Sequence, residues 1–280
     1  MLHVPIGANN FQLTEPSWGT TRPASANGTS VTPAVGSKGS YAALGSAISQ
    51  DAFGILVNVN TNFASTASRN TVVDIGMDPA GGSSYSVVIP DLLCGGSSAY
   101  TRNGGGNWYY FPLFIKAGTT IAARAQGSVT SAIRVGCVTF SLPGNASMVR
   151  KGSFIEALGI SAPGGTSITP GTTSDGSWVD LGTTSNRMWW WQFGMQVGTA
   201  DTSWNLNAIH VDVATGDASN KEIIIQDANF CTDSGEYVGN PPLTAGVEWE
   251  VPAGAHIYIR AQASGTLETA YNAAVYGLGG

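Results

Sequence analysis

Charge is scarce in this chain of 280 residues: four lysines and eight arginines face 18 Asp and Glu, for a net charge of −6. A nucleic-acid binder needs a basic stripe to neutralise phosphates, and so few cations cannot draw one. Histidine occurs three times, at His3, His210 and His256, and never in a metal-ligand spacing such as HExxH. The three cysteines, Cys94, Cys137 and Cys231, are too few for a disulfide framework, so buried thiols are expected. No run approaches the roughly 18 apolar residues of a membrane-spanning helix. The start MLHVPIGANN lacks a charged stretch followed by an apolar core, so synthesis in a cytoplasm without a signal peptide is expected. A serine nucleophile would need a GxSxG elbow, and there is none. RNGGGNW (Arg102 to Trp108) lacks the Lys-Ser or Lys-Thr that completes a phosphate loop and reads as a hairpin tip.

Long runs of helix formers are missing too, while 37 glycines and eight tryptophans are present. Apolar residues alternate over short stretches bounded by Gly, Ser, Asn and Pro, the pattern of half-buried strands. Strands are predicted over Phe53–Asn60, Val72–Met77, Tyr85–Ile89, Tyr109–Ile115, Thr119–Gln126 and Ile133–Leu142. The fold class is therefore all-β.

The chain is also written twice. GTSVTP at Gly28 returns as GTSITP at Gly165, 137 positions later, and GSY-x-x-LG (Gly39 to Gly45) returns at the same spacing as GSW-x-x-LG (Gly176 to Gly182). Cys94 then meets Cys231. A one-residue deletion beyond that pair brings AGTTIAARAQ (Ala117 to Gln126) onto AGAHIYIRAQ (Ala253 to Gln262), Cys137 onto Ala273 and Leu142 onto Leu278. Matches that hold register so far signal tandem duplication. The expected organisation is an extended arm at 1–27, a first β-sandwich at 28–142, a connector at 143–164 and a second β-sandwich at 165–280. The apolar middle of the connector, Phe154 to Ile160, is expected to dock or form a short helix.

The copies check each other. SYAALGSAIS (Ser40 to Ser49) alone passes for a helix, but its counterpart SWVDLGTTS is rich in β-branched and turn residues, so strand or loop is expected in both. Ile121, Ala123 and Ala125 share a face with counterparts Ile257, Ile259 and Ala261, which makes that face core. With about eight strands per copy and no apolar helix to cover a sheet, each copy is expected to be a jelly-roll-like sandwich.

Aromatic residues supply the binding signal. MWWWQF (Met188 to Phe193) alternates faces, and aligning Trp190 with Phe53 puts Trp190 in the core and points Trp189 and Trp191 outward. Such rings pack against the partner domain or another subunit, or stack on a sugar. Trp108, Tyr109 and Tyr110 raise the same choice. His210 and Asp212, two apart on a strand, read as a hydrogen-bonded surface pair. DVATGD (Asp212 to Asp217) and CTDSGEY (Cys231 to Tyr237) offer carboxylates in tight loops without a complete calcium pattern, so ordinary Asp-Gly turns are favoured over calcium. No catalytic residue, cofactor or metal is assigned.

In this setting the segment FPLFIKAGTTIAARAQ (Phe111 to Gln126) resembles structural proteins of tailed bacteriophages and related gene-transfer particles, in which a P-x-x-I-x-A-G-T-x-I-A-A-R-x-Q type segment recurs. Pro112, Ile115, Ala117, Gly118, Thr119, Ile121, Ala122, Ala123, Arg124 and Gln126 meet that pattern. The second copy keeps Ala253, Gly254, Ile257, Arg260 and Gln262 and departs at Pro112, where it has Glu248. The resemblance implies virion assembly or host contact on a particle surface through jelly-roll-like modules. A stable double sandwich with no catalytic constellation, few lysines and a Pro-rich arm leads to the same expectation, a non-enzymatic virion protein of the fibre, spike or decoration type, made in the host cytoplasm. Its arm would touch other virion proteins, it would form a homo-oligomer with a trimer favoured, and a host-surface glycan is a candidate ligand. A stand-alone lectin or carbohydrate-binding module is the alternative, and a polysaccharide-degrading enzyme comes third.

Overall fold

The computed structural model describes residues 12–14, 28–61, 70–94, 107–141, 152–197, 207–233, 237–238, 246–264 and 271–280. Strands and turns account for them, with no helix among the described residues. The first half holds β1 (Gln12–Thr14), β2 (Thr29–Val31), β3 (Ala42–Ala43), β4 (Ala52–Thr61), β5 (Thr71–Asp78), β6 (Ser86–Cys94), β7 (Asn107–Phe111), β8 (Thr120–Gly127) and β9 (Ile133–Ser141). The second holds β10 (Phe154–Leu158), β11 (Ile160–Ser161), β12 (Gly164–Ile168), β13 (Val179–Thr183), β14 (Met188–Val197), β15 (Asn207–Gly216) and β16 (Lys221–Asp233). It continues with β17 (Tyr237–Val238), β18 (Val247–Val251), β19 (His256–Ala263) and β20 (Tyr271–Gly279).

Pairing gives the sheets β2-β9-β4-β7 and β3-β8-β5-β6 in the first half, and β12-β20-β14-β18 and β13-β19-β15-β16 in the second. Numbering only the eight strands of each half that form these sheets in chain order, both halves read 1-8-3-6 over 2-7-4-5, every named ladder antiparallel. This interleaving of two Greek keys is the jelly roll. The chain is all-β, and its two halves share one jelly-roll topology.

The duplication reaches further upstream than the sequence match. β1 pairs with the last residues of β9, Thr139 to Ser141, and β10 pairs with Val275 to Gly279 of β20. Each half thus has a lead-in strand on the same edge. The segment 154–158, expected within a connector to dock or form a short helix, docks as strand β10 on β20. Of the arm at 1–27 only Gln12–Thr14 and of the connector at 143–164 only 152–164 lie within the described residues.

The shared loops explain the shared glycines. Ala34 and Gly39 both donate N–H to the Ala125 carbonyl, at 3.2 and 2.8 Å, as Gly171 and Gly176 do to that of Ala261, at 3.0 and 2.9 Å. A Cβ on Gly39 would lie 2.9 Å from the Thr32 carbonyl oxygen, and on Gly176 2.5 Å from that of Thr169, so neither turn admits a side chain. The loop leads into β3 or β13, and the SYAALG stretch is strand and turn as expected. Strand β7 stops at Phe111 because Pro112 has no N–H to donate. Leu113 and Ile115 make only isolated bridges beyond it, to Gly152 and Ala52.

The alternation does set the interiors. Ile121, Ala123 and Ala125 are buried with Ile55, Val57, Val59, Val135 and Cys137, and Ile257, Ile259 and Ala261 with Val211, Val213, Phe193 and Met195. Each such Ile, Val, Phe or Met side chain contributes roughly 1.5–3 kcal/mol of transfer free energy when buried.

Candidate functional site

The second half's sheet β12-β20-β14-β18 is buried on both faces along β14 and β20. Trp191, Phe193 and Met195 point into the second sandwich, whereas Trp189, Trp190, Ala274, Tyr276 and Leu278 join the hydrophobic cluster of the first. The outer face of β14 and β20 therefore closes the side of the first sandwich where β6 and β7 are edge strands.

Edge strands carry backbone groups that lack a ladder partner, and covering them without replacement bonds is costly. Here side chains of the covering sheet supply those bonds. Tyr276 accepts the Leu93 N–H at 2.8 Å and donates its hydroxyl proton to the Asp91 carbonyl at 3.0 Å. Gln196 Nε2 donates to the carbonyls of Thr71 and Cys94, at 2.7 and 3.0 Å. Gln192 Oε1 accepts the Tyr110 N–H at 3.0 Å. From the other side, Asn107 Nδ2 donates to the Leu93 and Met195 carbonyls at 2.9 and 3.0 Å. The oxygens Oδ1 of Asn107 and Oε1 of Gln196 are buried without a partner.

The expected outward rings are placed differently. Trp189 and Trp191, read as pointing out of their sandwich to pack on the partner domain, on another subunit or on a sugar, are 2% and 0% exposed. The reason is a one-residue slip: Ala52 bridges Ile115 as Met188 pairs with Val251, so Phe53 corresponds to Trp189 rather than Trp190. Ile48 and Thr184 occupy equivalent places, their N–H groups bonded to the Thr119 and Ala255 carbonyls, so the deletion already lies between Gly45 and Ile48. In a strand a one-residue shift exchanges the faces. The ladders likewise set Phe230, not Cys231, opposite Ile209 where Cys94 stands opposite Thr71, and Val275, not Ala273, opposite Phe193 where Cys137 stands opposite Val57. Trp191 donates its indole N–H to the Trp249 carbonyl at 2.8 Å.

Tyr109 is fully buried in the seam, its hydroxyl donating to the Leu93 carbonyl at 2.6 Å and its ring edge-on to Tyr276 at 5.3 Å. It lies so close to β14 that a Cβ on Gly194 would collide with its hydroxyl. Half-buried Tyr110 packs edge-on against Trp190 at 6.0 Å and Phe140 at 5.6 Å, and Trp108 is half-buried beside it. Tyr109 and Tyr110 thus lie at one seam, Trp189 belongs to the same hydrophobic cluster, and Trp191 lies in the other core. Burial pushes the Tyr109 and Tyr276 hydroxyls well above the usual phenol range, and the Tyr110 hydroxyl and Cys94 thiol up to about 12. The tip 102–106 lies outside the described residues.

A second arrangement, absent from the sequence reading, occurs once per half on the outer face of the other sheet. Asp74 on β5 accepts Arg124 Nε at 2.9 Å and the Asp91 N–H at 3.1 Å, and the guanidinium lies over the Tyr41 ring at 4.8 Å. In the second half Asp212 accepts Arg260 Nε at 2.9 Å and the Asp227 N–H at 2.8 Å, with Arg260 over Trp178 at 4.5 Å. Asp91 and Asp227 both adopt positive φ, 53° and 47°, beside matching bulges in the β5–β6 and β15–β16 ladders. The fourth member differs. Lys38 bridges Asp74 and Asp91, both at 2.6 Å, where Asp175 instead joins Arg260 at 2.7 Å.

This arrangement takes up Asp212 of the DVATGD segment, most of which is strand β15 rather than a loop. Asp217 accepts the N–H groups of Ser219 and Asn220, both at 2.7 Å, in an exposed turn, and those bonds, that of Asn220 foremost, hold its carboxyl below the usual range. His210 lies 3.9 Å from Asp227, and His256 Nδ1 lies 2.7 Å from Asp180, both at the surface. Residues 234–236 of CTDSGEY and His3 lie outside the described residues. Among the described residues no group of three or more His, Cys, Asp or Glu is placed to hold a metal ion.

Comparison with known proteins follows the fold alone. No family model matches the chain, and no curated protein matches it. Among solved structures it is similar to the tandem CBM22-1–CBM22-2 domain of Paenibacillus barcinonensis Xyn10C, with 11% identity over 85% of this chain and 82% of that one, TM-score 0.23. The major capsid protein P2 of bacteriophage PM2 is 8% identical over 96% and 97%, TM-score 0.29. The Broad Bean Stain Virus structure is 8% identical over 81% and 76%, TM-score 0.26. Likenesses of this size carry no argument about function.

Two outcomes are expected. Tyr276→Phe strands the Leu93 N–H and the Asp91 carbonyl and lowers stability to urea by about 1–3 kcal/mol. Asp74→Ala leaves Arg124 and the Asp91 N–H without their acceptor, with a loss of about 2–4 kcal/mol by the same measurement, and Asp212→Ala costs less because Asp175 still holds Arg260.

Proposed function

We propose that this chain is a non-enzymatic structural protein on the surface of a bacteriophage virion, a fibre, spike or decoration subunit, with two sandwich domains at 28–142 and 165–280. The observation that supports this reading is the seam. Two jelly rolls bound face to edge, with side chains of one capping the backbone of the other, make a rigid block suited to occupying surface and meeting neighbours. The jelly roll also serves lectins, and a fold alone does not assign a role. The lectin reading, however, rested on outward tryptophans, and Trp189 and Trp191 are interior.

In this reading the protein is a homo-oligomer, with a trimer favoured. Three chains with two alike sandwiches each arrange six similar domains around one axis. The arm, whose Gln12–Thr14 lies on the edge of the first sheet, contacts other virion proteins.

Analytical ultracentrifugation of the purified chain, with electron microscopy of the same sample, tests this. A trimer with six-lobed projections is the expected result. A monomer at every concentration, or specific capture on a glycan array without self-association, contradicts it.

A further inference from the structure

Equivalent surfaces of the two halves differ in their cover. Phe111 and Leu113, on the edge of the first sandwich, are 0% and 2% exposed, and Gly152 bridges Leu113 on the way into the second half. Their counterparts are Val247 and Trp249, from the alignment of Ile115 with Val251. Val247 is half-buried, and Trp249 is 39% exposed on edge strand β18.

The opposite surfaces show the same imbalance. Gln192, Asn272 and Leu278 on the covering face are 3%, 9% and 0% exposed. The ladders β4–β9 and β14–β20 place Leu56, Arg134 and Phe140 at the corresponding points of the first half, and all three keep partial exposure. Arg134 also has a buried Nε without a hydrogen-bond partner.

We propose that the contact between the halves is repeated between chains: the outer face of β9 and β4 of one copy, carrying Leu56, Arg134 and Phe140, covers the β18 edge and Trp249 of a second copy. The inference rests on the oligomer reading above and names its interface. One chain carries both surfaces, each homologous to a member of a contact the fold already makes. The occupant that fits is therefore this chain itself. An open strand edge with an exposed tryptophan is also what a partner sheet covers. Such a contact joins unlike surfaces, so repetition with a closing rotation gives a ring.

Complementation between two surface variants tests it. Trp249→Glu damages only the edge and Leu56→Lys only the face, and circular dichroism checks that each is folded. Each alone is expected to weaken association by about tenfold or more, as loss of an interface anchor does, and to sediment as one chain where the wild type is oligomeric. A one-to-one mixture is expected to give a dimer, because one undamaged face then meets one undamaged edge. Variants that keep the wild-type mass, or a mixture that stays monomeric, overturn this interface and leave the oligomer reading standing. A wild type that is monomeric throughout overturns both.

Discussion

A jelly roll has two open sides, and the treatment of one of them governs this molecule. Strands β6 and β7 end their sheets with backbone groups that water would ordinarily satisfy, and the second sandwich lies directly over them. That burial is tolerable only with new partners, because each stranded group costs on the order of 1–3 kcal/mol. Tyr276, Gln196 and Gln192 are those partners. Covering an edge with a sheet also makes that sheet interior on both faces, which is why Trp189, Trp190 and Trp191 are all buried in succession. Gly194 belongs to the same requirement, since only a residue without a side chain lets Tyr109 approach β14 so closely.

Within each half a separate device fixes the outer sheet. An aspartate accepts an arginine from the neighbouring strand and the N–H of an aspartate turned to positive φ at a bulge, and an aromatic ring covers the guanidinium. The exchange of Lys38 for Asp175 alters the charge around it without altering the geometry at its centre. One copy gains a cation against two carboxylates. The other gains a carboxylate against a shared arginine.

Much of the fold was legible. Alternation of apolar residues found six strands of the first half, and the GTSVTP and GSY repeats marked a loop whose glycines are sterically required. The faces of β14 were misread because a deletion between Gly45 and Ile48 was placed after Cys94, and strand facing has a period of two. The Asp74 and Asp212 pair was hidden by length changes: these residues lie 138 positions apart, while Arg124 and Arg260 lie 136 apart. Searching near each arginine for an acidic partner on an adjacent strand, rather than at fixed spacing, could have found it. Gln192, Gln196 and Tyr276 give no signal in sequence, because their role depends on which edge the second sandwich covers.

The account holds that the two sandwiches are one unit, joined by side chains that replace a missing strand. Native-state hydrogen exchange at the Leu93 and Tyr110 amides measures this directly, since their bonds to Tyr276 and Gln192 cross from one sandwich to the other. Protection of both amides close to that of the central strands β4 and β5 is the predicted result. Exchange at the rate of an open edge strand, while β4 and β5 stay protected, would contradict it.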